Sequence, residues 1–388
     1  MAKTDIVIAG YAETKVEFKS GRSAYDFAGE ALAQLIAKTG VEKAEIDGMS
    51  VTAPLSECAN PFFAAYMAEG LGVTVSWLNY SGLGGCSAVG GLARAVTAVR
   101  EGQCEVALVI SADAPSTRWN AHYGAYRTEF QEPLGIQGPP SQFGLLISRY
   151  DHQYRLKPEA LAKIAITQRN HALMNENALD KFRTPITEED YFNSRVVADP
   201  LRIFDSVMFC DGANAFFVMA RSKADALGIK NYVHPTAYAE LTNVNGRNPL
   251  ADVTETGFRT IAPKVFEKSG LRPADIDMFH PYDDFTIAVL MKLEECGFCG
   301  RGEGSDFVLA TDLSHSGQLP LNTGGGQISA GQPGLAGGGL NLAEAVRQLM
   351  GEGGARQVRD PRNALVTGIG VIPFARNWGI SSAMILEA

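Results

Sequence analysis

The stretch Leu319–Gly351, LPLNTGGGQISAGQPGLAGGGLNLAEAVRQLMG, constrains the fold more than any other part of the chain. It reads as three pieces. Asn322–Gly326 is a turn-forming run whose glycines reach backbone geometries closed to other residues. From Gln327 to Gly339 side chains are few and small, so backbone N–H groups can approach a ligand. Leu340–Met350 then carries apolar residues at 340, 342, 346, 349 and 350, the face of a helix, and Gly351 supplies a C-cap. A glycine-rich loop feeding a helix suits the stabilisation of an anion or oxyanion. It equally suits a tight turn that packs a helix onto a sheet.

Upstream, apolar β-branched runs alternate with helical patterns. Strands are expected at Thr4–Ala12, Ile46–Thr52, Val73–Leu78, Val106–Ser111 and Phe216–Ala220, and helices at Ser23–Lys38, Pro61–Leu71 and after the glycine turn within Asn79–Gly102. A second series follows: strands Tyr232–Glu240, Ile276–Tyr282, Ala364–Gly368 and Ile380–Leu386, with helices Gly257–Ser269 and Phe285–Cys296. The alternation implies βαβ units around largely parallel sheets. With 388 residues the chain exceeds one ordinary core, so two similar α/β halves are expected, 1–225 and 226–388. An aromatic, Pro/Gly-bearing excursion, 113–175, interrupts the first half. It ends in helices near Leu145–Tyr154 and Pro158–Asn175, and such excursions serve as lids, binding loops or subunit contacts.

Charge narrows the function. A net charge of −9 without a Lys/Arg cluster argues against nucleic acid and anionic membrane surfaces. No apolar run approaches a membrane span, and the first residues, MAKTDIVIAG, lack a signal peptide's regions, so a cytoplasmic protein is expected. The six cysteines are scattered and expected to be reduced thiols. Cys296 and Cys299 have C-x-x-C spacing but no second pair, which points to packing rather than metal or redox use. A dinucleotide fingerprint beginning at Gly82 fails because Ser87 stands where glycine is required.

The most informative short motif is His280-Pro281-Tyr282-Asp283-Asp284-Phe285-Thr286, placed where a strand meets a helix. His280 shares a strand face with Tyr282 and could relay a proton, or be a core histidine. Asp283 and Asp284 suit the first turn of the helix that follows, with Asp283 as its cap. Asp211-Gly212-Ala213 reads as a turn before the last strand of the first half.

Three of these segments resemble the thiolase superfamily. PLNTGGGQISAGQPGLAGG and the helix ending QLMG follow its C-terminal block PxNxxGGxxxxGHPxGxxG without a gap, with Gln332 in the column of the family's histidine. The strand–turn–helix at Asn79–Gly102 matches the segment carrying the nucleophilic cysteine, but that column falls on Gly85, with Cys86 one residue later. One residue at a helix start turns a side chain by about 100°. The family's second catalytic cysteine has no counterpart after Cys299. YDDFTIAVLMKLEECGFCGRGEGSDFV is similar to the lipid-transfer-protein-type aldolases of the sterol-carrier-like branch, which lack the cysteine and cleave β-hydroxyacyl-CoA by retro-aldol chemistry. There Tyr282 is implied as an acid/base group, while the branch's second tyrosine is replaced by Gln332.

The resemblance implies a duplicated fold with α-β-α-β-α layers, a homodimer, and a small OB-fold and zinc-ribbon partner subunit. It implies coenzyme A as part of the substrate, with no tightly bound cofactor and no metal. The candidate catalytic residues are Tyr282, Gln332, Cys86 and His280. Gly85, Gly325, Gly326 and Gly337 are the candidates for binding the substrate and its oxyanion. Three readings stay open: an aldolase, an acyltransferase using Cys86 on a β-ketoacyl-CoA, and a non-catalytic acyl-CoA or lipid scaffold.

Overall fold

Among the described residues eleven strands build two sheets and one small ribbon. The strands are β1 (Ile6–Glu13), β2 (Gly48–Thr52), β3 (Trp77–Ser81), β4 (Val106–Asp113), β5 (Val196–Ala198), β6 (Leu201–Arg202), β7 (Gly212–Ala220), β8 (His234–Thr242), β9 (Phe279–His280), β10 (Asn363–Val371) and β11 (Ile380–Glu387). The structure is a computed structural model that describes residues 5–118, 131–136, 138–244, 252–371 and 378–388. The first sheet runs β1-β7-β4-β2-β3 and the second β8-β11-β10-β9. β1–β7 and β4–β7 are antiparallel and β2–β4 parallel; β8–β11 and β10–β11 are antiparallel and β9–β10 parallel. The same order and the same directions thus recur. The one strand missing from the second sheet, the counterpart of β3, is reduced to a parallel bridge between Phe279 and Leu321.

The repetition extends to the helix that follows. After β3, a single 3-10 turn Gly84–Cys86 opens helix Ser87–Arg100; after Leu321 and its loop, a 3-10 turn Gly334–Ala336 opens helix Gly337–Leu349. Each turn starts on a glycine with positive φ, +57° at Gly84 and +47° at Gly334, which other residues adopt only under strain. The two helices form the middle layer. Val89, Leu92 and Val96 from one and Leu342, Val346 and Leu349 from the other share a core with Val109, Phe216, Val366 and Met384 of the two sheets. The opposite face of the first sheet packs Leu108 and Phe217 against Phe27, Leu35 and Phe63. The opposite face of the second packs Leu365 and Ile385 with Phe258, Ile261 and Leu290. Five layers result, α-β-α-β-α. Burial of both sheet faces explains why the strands read as continuous apolar runs.

Several expectations shift. The third strand lies at Trp77–Ser81 rather than Val73–Leu78, because its ladder begins where Trp77 faces Gly48 on β2. Val73 and Val75 pack on the outer core without entering the ladder. The helix expected from Leu145 starts at Gly138; prolines in a helix's first turn remove only N–H groups that have no intrahelical acceptor. Helices Gly138–Tyr154 and Pro158–Leu173 dock on the outer layer of the second sheet, where Phe143 stacks on Phe285 at 3.9 Å between centroids. The rest of the excursion, 119–130 and 137, lies outside the described residues. Gly212 already belongs to β7, and Asp211 is a clamp that accepts from Ser20 Oγ (2.8 Å), Ser116 N (2.9 Å) and Thr117 Oγ1 (2.5 Å). Asp113, at the end of β4, accepts from Leu55 N (2.7 Å), Ser56 N (3.0 Å) and Leu335 N (3.1 Å), tying the glycine-rich loop to the first sheet.

Candidate active site

Pro281 ends β9 after two ladder residues because it has no N–H to donate. The period-two face expected to join His280 to Tyr282 is therefore broken. The carbonyl of Pro281 is held instead by Asn322 Nδ2 (3.0 Å) and Asn341 Nδ2 (2.7 Å), and Tyr282 N donates to Thr367 Oγ1 (3.2 Å). These contacts aim Tyr282 into the middle layer, where it is 4% exposed.

The phenol ring lies at the N-terminal ends of both central helices. A Cβ built on Gly85 would come closer to Tyr282 Cε2 and Cζ than the 3.0 Å that real Cβ atoms essentially never breach, and would stand 2.5 Å from the Ile369 carbonyl. A Cβ on Gly338 would stand 3.5 Å from Tyr282 Cε2. Residue 85 must therefore be glycine because the tyrosine occupies the space of its missing side chain. A cysteine side chain at 85 and this placement of Tyr282 are mutually exclusive. Two helix N-termini directed at one point favour negative charge there.

Gln332 arrives through the bridge it forms with Phe209, flanked by hydrogen bonds to Met208 O and from Cys210 N. Its Nε2 donates to Tyr282 Oη (3.1 Å) and to Gln327 Oε1 (3.0 Å), while its Oε1 and the Nε2 of Gln327 are buried without partners. Donation by the amide leaves the phenol's own proton free to point away from Gln332. Burial drives the phenol's pKa well above its ordinary value, the Asp284 carboxylate adds to this, and the Gln332 amide opposes it. Tyr282 therefore rests as a neutral phenol, a proton donor. Gly337 lies against this amide pair: its Cβ would stand 2.9 Å from Gln332 Cγ.

The remaining candidates are placed elsewhere. Gly325 faces Ala172, and Gly326 faces Asp283 and Gln168. The segment expected to present bare backbone instead forms helix Gly326–Ala330, whose first amides, Gln327 N (3.0 Å) and Ile328 N (3.2 Å), donate to Asp283. Asp283 thus caps a helix, but not its own as expected; helix Thr286–Glu295 has Phe285 at its N-cap with no side-chain bond. Cys86 is fully buried, its Cα beside Gly368 and its thiol toward Ser382, and burial pushes its pKa up to about 12. It faces the second sheet, yet it stays near enough to the Tyr282 phenol to help raise that group's pKa. His280 is also fully buried with both ring nitrogens unpartnered; burial holds it down to about 4, and the groups that modulate it are Glu344 and His171.

Gln327, Asn341 and Lys292 are not among the expected site residues, and Asp284 is expected only in the first turn of a helix. Lys292 is fully buried and its ammonium donates to the Tyr282 carbonyl. Burial lowers its pKa while Asp284 opposes; burial raises that of Asp284 while Lys292 opposes. A lysine inside the apolar run TIAVLMKLEE was the available signal. Among the described residues no group of three or more His, Cys, Asp or Glu is gathered to hold a metal, and no helix is long and apolar enough to cross a membrane.

A family model described as thiolase C-terminal domain-like matches residues 239–382. The chain is similar to a steroid side-chain-cleaving aldolase of Thermomonospora curvata, at 32% identity over 94% of this chain and 95% of the relative. It is similar to a 17-hydroxy-3-oxo-4-pregnene-20-carboxyl-CoA lyase of Mycobacterium tuberculosis, at 31% identity over 90% of this chain and 93% of the relative. The solved structure of an Ltp2-ChsH2(DUF35) aldolase superposes with a TM-score of 0.85 and 30% identity, covering 99% of this chain and 97% of that one.

Proposed function

The chain belongs to the thiolase superfamily, in the sterol-carrier-like branch that holds the steroid side-chain-cleaving aldolases, and from that premise we propose that it breaks a carbon–carbon bond beside an acyl-CoA thioester by retro-aldol cleavage of a β-hydroxyacyl-CoA. The observation that carries this reading is the exchange at one point in space: a glycine at 85, where the superfamily's nucleophile is expected, and a phenol filling the volume that a side chain there would need. Covalent acyl transfer needs a thiolate, and the nearest thiol, Cys86, is buried, turned to Ser382 and held protonated. Retro-aldol chemistry needs none. It needs stabilisation of a thioester enolate and a proton for its α-carbon. The converging helix N-termini supply the first, worth a few kcal/mol for a well-placed donor, and the Tyr282 phenol supplies the second. Gln332, which cannot ionise, holds the phenol oxygen in place.

Coenzyme A enters as part of the substrate, and no tightly bound cofactor is required by this chemistry. The names of both curated relatives make steroid side-chain acyl-CoAs the first substrates to try. A homodimer is supported by β3, an edge strand that exposes Leu78 and Tyr80 beside Phe62 and Tyr66, an aggregation-prone edge unless it is covered. A partner subunit, which the family resemblance leads one to expect as a small OB-fold and zinc-ribbon protein, is supported by the solved aldolase whose name pairs Ltp2 with ChsH2(DUF35). The test is incubation with a panel of β-hydroxyacyl-CoAs, with and without a co-expressed partner, and mass spectrometry of the products. Release of a ketone or aldehyde together with a shortened acyl-CoA is expected; binding without turnover across the panel would favour the scaffold.

A further inference from the structure

Retro-aldol cleavage also needs a group to take the β-hydroxyl proton, and the residues placed so far do not offer one. Tyr282 rests as a phenol, Gln332 cannot ionise, Cys86 faces Ser382, and His280 faces Glu344 and His171. Two neighbouring carboxylates show the contrast that identifies the missing group. Asp283 is saturated: it accepts from Gln327 N, Ile328 N, Asn341 Nδ2 and Gln168 Nε2. Asp284 is 7% exposed, and although the backbone N–H groups of Asp284 and Phe285 lie against its carboxylate, its Oδ1 has no hydrogen-bond partner. A buried carboxylate oxygen left bare is strongly unfavourable, and a structural aspartate would be expected to bond it, as Asp283 does. Asp284 is two residues from Tyr282 and is the foremost charged neighbour of its phenol. Its charge is offset by Lys292, which reaches the same place from helix Thr286–Glu295 and binds the Tyr282 carbonyl. The segment across from it, which bonds the Asp284 carbonyl through Val207 N, carries Asp205, and that carboxylate is committed to Tyr191 Oη and Thr286 Oγ1, both at 2.6 Å.

We propose that Asp284 is the catalytic base that takes the β-hydroxyl proton, and that Lys292 is the positioning residue that keeps its carboxylate ionised. The assignment rests on the retro-aldol reading. The Asp284 carboxylate accepts the hydroxyl proton; the O–H electron pair becomes the new C=O bond. The Cα–Cβ bond breaks and its pair passes to Cα as the thioester enolate. The Tyr282 hydroxyl protonates Cα, and the phenolate recovers its proton from the Asp284 carboxylic acid. The site ends as it began, with no oxidant or cofactor consumed.

The experiment is Asp284→Asn in the full chain with any partner it requires, on a β-hydroxyacyl-CoA that the unaltered protein cleaves. General-base removal lowers kcat by about 10²–10⁴, with KM within a few-fold, and Asp284→Glu restores part of it. The rise of kcat with pH, expected above the ordinary carboxylate range because burial raises Asp284, disappears in Asp284→Asn. Lys292→Met, close in size and apolar, moves that rise to higher pH, which serves if Asp284→Asn does not fold. Asp284→Asn turning over within about fivefold and with the same pH profile, or Lys292→Met leaving the rise in place, overturns the assignment while leaving the aldolase reading intact. An unaltered protein that cleaves no β-hydroxyacyl-CoA overturns the reading itself, and the assignment with it.

Discussion

Gly85→Ala is the smallest change that asks whether the phenol fills the position of the absent nucleophile. The added methyl would meet the Tyr282 ring inside 3.0 Å and the Ile369 carbonyl at 2.5 Å. The carbonyl is backbone and the ring is pinned by Pro281, Thr367 and Gln332, so neither yields cheaply. Overpacking of this kind costs about 1–3 kcal/mol. With an unfolding entropy of about 2.1 cal/mol/K per residue over 388 residues, the melting temperature falls by about 1–4 °C. Displacement of the ring by 1 Å costs about 10²-fold in turnover, so activity suffers far more than stability. Guanidinium unfolding of Gly85→Ala, Tyr282→Ala and the double variant completes a cycle. The double variant recovers part of the loss, a coupling of about 0.5–3 kcal/mol, and not all of it, because the Ile369 carbonyl remains. If Gly85→Ala were as stable and as active as the unaltered protein, the ring could not lie against residue 85.

Replacing Gln332 with leucine removes the amide that holds the phenol oxygen; kcat is expected to fall about tenfold with little change in acyl-CoA affinity by calorimetry. His171 and His280 both rest near 4 through burial, below the ordinary histidine value of about 6.5. Their contribution to stability is therefore fully present above about pH 6.5 and is lost as pH falls through 4. His280→Leu flattens that acid loss in guanidinium midpoints measured against pH; an unchanged slope would show that His280 does not titrate in this way. If the proposed homodimer forms along the β3 edge, Leu78→Lys combined with Tyr80→Lys is expected to make it monomeric in light scattering, whereas a dimer that survives would place its interface elsewhere.

The duplicated architecture was legible because a strand buried on both faces must be apolar throughout, so the runs at Val106, Phe216 and Ile380 stood out. What escaped was set by single residues. Pro281 cut short a strand that the stretch from Ile276 onward extends by pattern, and with it the argument that put His280 beside Tyr282. The glycines at 325 and 326 signalled close approach correctly, but what approaches is Ala172 and the Asp283 carboxylate, side chains more than 40 positions distant in sequence that periodicity cannot see. The register at Gly85 and Cys86 was readable, since one step about a helix turns the thiol away. Asp284 was not: aspartates before a helix suit its cap, and only packing reveals one oxygen left without a partner.

On the proposed mechanism this site runs on a phenol and not on a sulfur. That claim is tested most directly by following carbonyl release from a β-hydroxyacyl-CoA in Cys86→Ala and Tyr282→Phe, with the intact mass of the protein recorded during turnover. Cys86→Ala is predicted to keep activity within about threefold, Tyr282→Phe to lose about 10²–10⁴, and no acyl mass to appear on the chain. An acyl group on Cys86, with activity lost in Cys86→Ala and kept in Tyr282→Phe, would contradict it.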